Sequence, residues 1–205
     1  RIVLDAGANV DCRPAHLLQF AILGSIYAEF ALGLQNPRVG ILNIGTERNK
    51  GNELTRAAYS LLENSSLNFA GFVEGNQIFD GEFDVIVCDG FVGNVLLKAG
   101  EGLASLILSE LRDTVRKSWL ARIGVLFMCP ALAKLKRRYD YASYGGALLL
   151  GVRGICIVCH GRSHAKAIRN AILTARRAVE RNIVGQLEAA FEQVNAARVI
   201  SGFSS

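Results

Sequence analysis

Four short segments set acids, amides, a lysine and glycines in the same kind of place: DAGANVD at 5–11, NIGTERNKGN at 43–52, CDGFVGN at 88–94 and CHGRSHAK at 159–166. Each follows an apolar, strand-like run and leads toward a helical pattern. Glycine lets backbone N–H groups come close to a ligand, and the following helix turns its positive end to the same spot, so the mouth so formed suits an anion. Taken singly, each segment reads as a tight turn, with Asn52 or Asn94 capping a helix. Taken together they carry more, because a purely structural sheet edge does not need Asp5, Asn9, Glu47, Lys50, Asp89 and Asn94 at once.

Other chemistries lose their signatures on inspection. GTERNKGN has its lysine before the second glycine and no GK[ST] follows, so it is not a nucleotide-triphosphate loop. No GxGxxG, HExxH or GxSxG occurs, and His160 and His164 straddle a strand-to-helix turn instead of sharing a helix face. No metal site and no cofactor is expected.

The elements that must position these residues alternate. IVLDA at 2–6, RVGILNIG at 38–45, LNFAGFV at 67–73, FDVIVCD at 83–89 and GICIVCHG at 154–161 read as strands. Helical patterns run from Pro14 to about Leu32, over 52–64, from Asn94 to about Val115 and over 163–182, with 183–197 continuing as helix. Such alternation argues for a parallel sheet covered by helices, whose ligands gather at the carboxyl ends of the strands. All four polar turns are expected to converge on that edge.

The chain has 205 residues, ample for one domain with a continuous core, and 1–205 reads as a single α/β catalytic domain. Arg1 already lies in an apolar run without an initiator Met, so the chain is expected to begin partway through a longer protein, N-terminally incomplete. The formal net charge of +5 admits acidic partners. Five cysteines in largely apolar settings predict reduced thiols and a cytoplasmic location, and the CIVC at 156–159, in a strand-like run, reads as buried thiols. No signal peptide is evident, and the longest uncharged apolar runs fall well short of the roughly 20 residues that span a bilayer, so no transmembrane segment is expected.

One segment breaks the alternation. In 112–138, Val115, Trp119, Ile123, Leu126 and Phe127 recur at helical spacing among Arg112, Arg116, Lys117 and Arg122, with more cations after Pro130. This predicts an inserted basic amphipathic helical hairpin, broken at Pro130, with Ile123–Met128 at its tip. Three contacts fit it: a membrane interface, a second subunit, or an acidic carrier protein. Nucleic acid fits poorly, because the charge is confined and few aromatics are interleaved.

Several long stretches, in order, closely resemble the phosphate acyltransferases of bacterial phospholipid synthesis: LDAGANVDCRPAHLLQFAILGSIYAE, NPRVGILNIGTERNKGNELT, CDGFVGNVLLKAGEG, YGGALLLGVRG and HGRSHAKAI. The resemblance covers nearly the whole chain, as the C-terminal three-fifths of a family member, with Leu148 where the family usually has proline and Cys159 at an often smaller position. It implies a three-layer α/β/α fold like those of isopropylmalate dehydrogenase and the phosphate acetyltransferases, usually as a homodimer. It also implies acyl transfer from acyl carrier protein to inorganic phosphate, giving acyl phosphate, in the cytoplasm and peripherally at the inner face of the membrane, with a downstream glycerol-phosphate acyltransferase as a further partner. A phosphate acetyl- or butyryltransferase using coenzyme A, and an inert membrane-associated scaffold, are the alternatives.

Phosphate is already a nucleophile, so that reaction needs an anion held against a thioester carbonyl and donors for the developing oxyanion, and no serine or cysteine nucleophile. In this scheme Lys50 meets the phosphate charge with the N–H groups around Gly51, Asn94 donates to phosphate or oxyanion, and Asp89 orients them or accepts a proton. Asn9, Asn43, Gly45, Glu47, Gly90, Gly93, His160, Gly161, Ser163 and Lys166 line the same mouth. Arg116, Lys117, Trp119, Ile123, Leu126 and Phe127 form the contact surface of the basic segment.

Overall fold

A computed structural model describes residues 1–138, 145–159, 161 and 163–200. The described residues fall into two compact units, those of 1–97 with 181–200 and those of 98–180.

In the first unit, β1 (Ile2–Leu4), β2 (Val39–Asn43), β3 (Phe69–Glu74) and β4 (Val85–Val87) form a parallel sheet in the order β1-β4-β2-β3. The registers pair Val3 with Ile86, Gly40 with Ile86 and Leu42 with Val73. β4 is central and buried on both faces, which is why its sequence is a continuous Val-Ile-Val run without polar alternation. α1 (Pro14–Leu32) crosses β4 and β1, and Gly24 is the point of closest approach: a Cβ there would stand 2.5 Å from Val85 Cγ1. α1 starts with proline in its first turn, as expected, and ends at Gly33, whose φ of 67° allows its N–H to reach the Glu29 carbonyl. α2 (Glu53–Glu63) lies over β2 and β3, and α6 (Ile183–Ile200) packs on α1.

On the other set of sheet positions, Val73 and Ile86 form a core with Ile78 and Phe83, joined by Val3, Leu42 and Leu96. Ile78 comes from the short 3₁₀ turn Gly75–Phe79, in a stretch, EGNQIFDGE, too polar and glycine-broken for a long helix. Leu96 belongs to α3 (Gly90–Lys117). A mostly parallel sheet flanked by helices is the α/β architecture expected from the sequence.

Four details depart from the sequence reading. α3 begins at Gly90, four residues before Asn94, because Asp89 caps it and its glycines fit a close contact described below. The run at 154–161 does not join the parallel sheet: in the second unit β6 (Ile157–Val158) pairs antiparallel with β5 (Ala147–Leu148), across a loop in which Gly151 has φ 83°. α4 (Trp119–Arg138) contains Pro130 within it, so Ile123–Met128 is mid-helix. The chain turns instead at Ser118, whose hydroxyl accepts from the Ala121 N–H at 3.3 Å, while the carbonyl that Pro130 leaves unpaired belongs to Leu126 on an exposed surface. Cys156 is exposed and Cys159 half-buried, since β6 has one open face; all five cysteines are free thiols.

The remaining helix of the second unit, α5 (Ala165–Glu180), buries Ala167 and Ala171, and Gly145 approaches its backbone too closely for any side chain. Among the described residues two helices, α1 and α3, are long and apolar enough to cross a membrane by length and composition. Counting only uncharged runs misses them, because a window of this length passes with one or two charges in it. Half of the α1 window is buried, whereas 6% of the α3 window is.

Candidate functional site

The parallel sheet sends the ends of β1, β2, β3 and β4 to one edge, and three of the four polar turns read from the sequence leave from it. The fourth, CHGRSHAK, follows β6 in the second unit, so this sheet does not gather it with the others. His160 lies outside the described residues. Gly161 and Lys166 are exposed, and Ser163 is half-buried, with a hydroxyl that has no hydrogen-bond partner among the described residues.

The turn after β1 is organised by its first residue. Asp5 is only 5% exposed, and its Oδ1 accepts from the Gly7 and Ala8 N–H groups, both at 3.1 Å. Its Oδ2 accepts from the Asn9 N–H at 2.5 Å and the Asn9 side-chain amide at 3.1 Å. These N–H groups therefore serve an internal carboxylate and are not presented to a ligand. The turn after β4 locks onto the same structure: the Gly90 N–H donates to the Asn9 carbonyl at 2.8 Å, and the Cys88 thiol to the Asp5 carbonyl at 3.4 Å. A Cβ on Gly90 would meet Asn9 O at 2.6 Å, and one on Gly93 would collide with the Asp5 carbonyl. Both glycines are thus required by close packing, where the sequence reading had them expose N–H groups to an anion.

Asp89 is half-buried and accepts from the Val92 N–H at 2.8 Å, which makes it the cap of α3. Asn94 is exposed one turn into the helix, where its side chain leans on Gly7; it caps nothing and keeps its amide for other work.

The loop after β2 is knitted to the start of α2. Asn43, 8% exposed, donates to the Gly45 carbonyl at 3.1 Å and faces the Thr55 hydroxyl at 3.5 Å. Gly51, at φ 91°, sits where a side chain would strike both Asn43 and Thr55. Asn52 caps α2, accepting from the Thr55 N–H at 2.8 Å. Glu47 and Lys50 are exposed, linked by a 3.0 Å bond from the Lys50 N–H to the Glu47 carbonyl, with both side chains over Gly45. Arg48 pins this loop, pairing with Glu63 and lying 4.8 Å from the Tyr59 ring centroid.

Between the ends of β2, β3 and β4 lies a cavity of about 800 Å³. Both helix starts reach it, α2 through Asn52 and Thr55 and α3 through Asp89 and Val92. Asn43 and Gly51 also line it, while Lys50 and Asn94 do not, although each is within two residues of a lining position. The sequence reading missed Thr55, Glu74 and Asn76 on this wall. The signal is present in the sequence: EGNQ leaves β3 as the other polar glycine-bearing turns leave their strands. No lining residue is basic, and Glu74 and Asp89 are acidic.

The cysteines near the edge are held as thiols. Burial, with Asp89, Asp5 and Cys12 close by, pushes the Cys88 thiol up to about 12. Burial also raises Cys12, opposed by its contact with the Gly90 backbone and reinforced by Asp89, Asp5 and Asp11. Neither supplies a thiolate near neutral pH.

Comparison with known proteins adds to this geometry. Residues 1–186 match a family described as fatty acid synthesis protein. The phosphate acyltransferase of Pelotomaculum thermopropionicum is 53% identical over 193 residues, which cover 94% of this chain and 56% of that protein. That of Moorella thermoacetica is 52% identical over 208 residues, covering 100% and 60%, and that of Heliobacterium modesticaldum 52% identical over 188 residues, covering 92% and 56%. The chain thus spans little more than half the length of these relatives.

Proposed function

The chain belongs to the fatty acid synthesis protein family, and from that premise we propose that it carries machinery for transferring a fatty acyl group from acyl carrier protein to inorganic phosphate, giving acyl phosphate. Phosphate oxygen attacks the thioester carbonyl, a tetrahedral oxyanion forms, and the carrier leaves as a thiolate that takes up a proton.

The observation that carries this reading is the cavity at which two helix starts and three strand ends meet, beside the Lys50 loop. Its two carboxylates repel a phosphate dianion, while Asn76 offers an exposed amide to neutral groups. The cavity therefore takes the neutral thioester arm of the donor, and phosphate stands at the lip, where Lys50 supplies charge and the α2 start adds its positive end. Asn94 donates to the oxyanion from the α3 side. Removing one such donor costs about 3–4 kcal/mol in the transition state.

Because Asn94 caps nothing, Asn94→Ala separates catalysis from stability. It is expected to leave the unfolding midpoint unchanged while lowering turnover, about 10²-fold for loss of an oxyanion donor, and Lys50→Ala is expected to raise the KM for phosphate. The assay is release of free carrier protein from palmitoyl carrier plus phosphate, in the full-length protein. Wild-type turnover in both variants would refute these roles. Faster turnover with acetyl-coenzyme A would favour a phosphate acetyltransferase, and no turnover at all an inert scaffold.

The surface of α4 supports a peripheral membrane contact in the same reading, since Trp119, Leu126 and Phe127 are 69%, 70% and 83% exposed beside Arg116, Lys117 and Arg122. Ile123 lies on the same helix and is 44% exposed. A second subunit or the acyl carrier protein are the competing occupants. Lys134 extends the basic character of α4.

A further inference from the structure

We propose that Asp5 is a positioning residue, which braces the Asn9 turn against the start of α3 and so fixes Asn94 for its work; this rests on the reading of the site as an acyl transfer centre. Four donors converge on one carboxylate, three of them backbone N–H groups, from Gly7, Ala8 and Asn9, and the fourth the Asn9 amide. No other side chain of similar length accepts four hydrogen bonds at once: an asparagine would turn an NH₂ group, itself a donor, toward this ring of donors. Among the described residues no cation pairs with Asp5, so its burial is sustained by these bonds alone.

The brace reaches the candidate site by three routes. The Asn9 carbonyl, whose direction is set by the bonded turn, receives the Gly90 N–H. The Asp5 carbonyl forms the surface against which Gly93 is packed. Gly7, held by Oδ1 and at φ 132°, is the platform on which the Asn94 side chain rests, with a Cβ at Gly7 only 3.6 Å from Asn94 Cβ. A change at Asp5 therefore moves Asn94 without touching it.

The test is Asp5→Asn in the full-length protein, with Leu62→Ala, a buried change elsewhere in the first unit, as a control for lost stability. The expected result is a kcat lower by about 10²-fold per folded molecule, because misplacement of about an ångström costs that much, and a KM for phosphate within about twofold of wild type, because the residue acts after binding. Leu62→Ala should keep its kcat per folded molecule. Amide hydrogen exchange gives a second readout, in wild type and so independent of whether the variant folds: Gly7, Ala8, Asn9 and Gly90 should be protected despite their exposed turn. Equal kcat in Asp5→Asn and wild type, or rapid exchange at these amides in wild type, overturns the proposal. If the wild-type protein forms no acyl phosphate, the functional reading falls; the exchange measurement then decides the brace, protection supporting it and rapid exchange overturning it.

Discussion

Gly93→Ala is the sharpest test of how the candidate site is assembled. A methyl group there would lie 1.8 Å from the Asp5 carbonyl oxygen, 2.9 Å from its carbon and 3.1 Å from Ala6 Cα, all of them backbone atoms. No rotamer change can relieve this, so the start of α3 must move from the Asp5 turn by more than an ångström. Overpacking of this kind costs about 1–3 kcal/mol, and a purely backbone obstacle belongs at the upper end. For a chain of this size, about 3 kcal/mol lowers the melting temperature by roughly 6–12 °C. The same displacement carries Asn94, which follows Gly93 directly, and would lower turnover per folded molecule by about 10²-fold. Gly102→Ala on the same helix, where a Cβ would meet nothing within 4 Å, is the matched control. It should stabilise by about 0.5–1 kcal/mol, as alanine for an unconstrained helical glycine does. Melting curves and carrier-release assays on both variants suffice. If Gly93→Ala melts at or above the wild-type temperature, the close packing of α3 on the Asp5 turn is refuted.

Cys88 gives a pH-dependent prediction. Its thiol, raised by burial and nearby acids from 9.0 to about 12, stays protonated in the folded state after the unfolded chain has begun to ionise. Its contribution is therefore present below pH 9 and lost as pH rises toward 12, so the stability gap between wild type and Cys88→Ala should narrow over that range, by up to about 1.4 kcal/mol per pH unit. A gap that stays constant from pH 8 to 11 in urea unfolding would count against it. For the proposed membrane contact, Trp119→Asp with Leu126→Asp should weaken sedimentation with anionic vesicles while leaving turnover of soluble substrate measurable. Unchanged sedimentation excludes the interfacial role.

Much of the sheet was legible because its signals are local. The Val-Ile-Val run, the proline at the start of α1 and Asn52 before α2 each specify their element from neighbouring residues. What escaped depends on contacts distant in sequence. Gly90 and Gly93 look like any flexible turn until the Asp5 turn is seen against them, some 85 positions away in the chain. Nothing within CDGFVGN says that its helix starts at Gly90 and leaves Asn94 uncapping. Likewise GICIVCHG is strand-like in pattern, yet pattern alone does not choose between a place in the parallel sheet and the short hairpin with Ala147–Leu148. At the site, Asn43 and Gly51 could be read from the sequence, but that Lys50 stands outside the cavity lining could not, since it depends on how Arg48 fastens the loop to Glu63 and Tyr59.

The strand order has a consequence for how the chain reaches this state. Among the described residues β1 pairs in the sheet with β4 alone, so residues 2–4 gain that partner only after residues 85–87 have been made, and α1 receives α6 from about 150 positions further along. Loop closure over such separations must come before the contacts that reward it. During synthesis, the apolar faces of β1 and α1 emerge before β4 and α6 and wait for them. The turn that Asp5 organises is thus made well before the start of α3 that locks it in place.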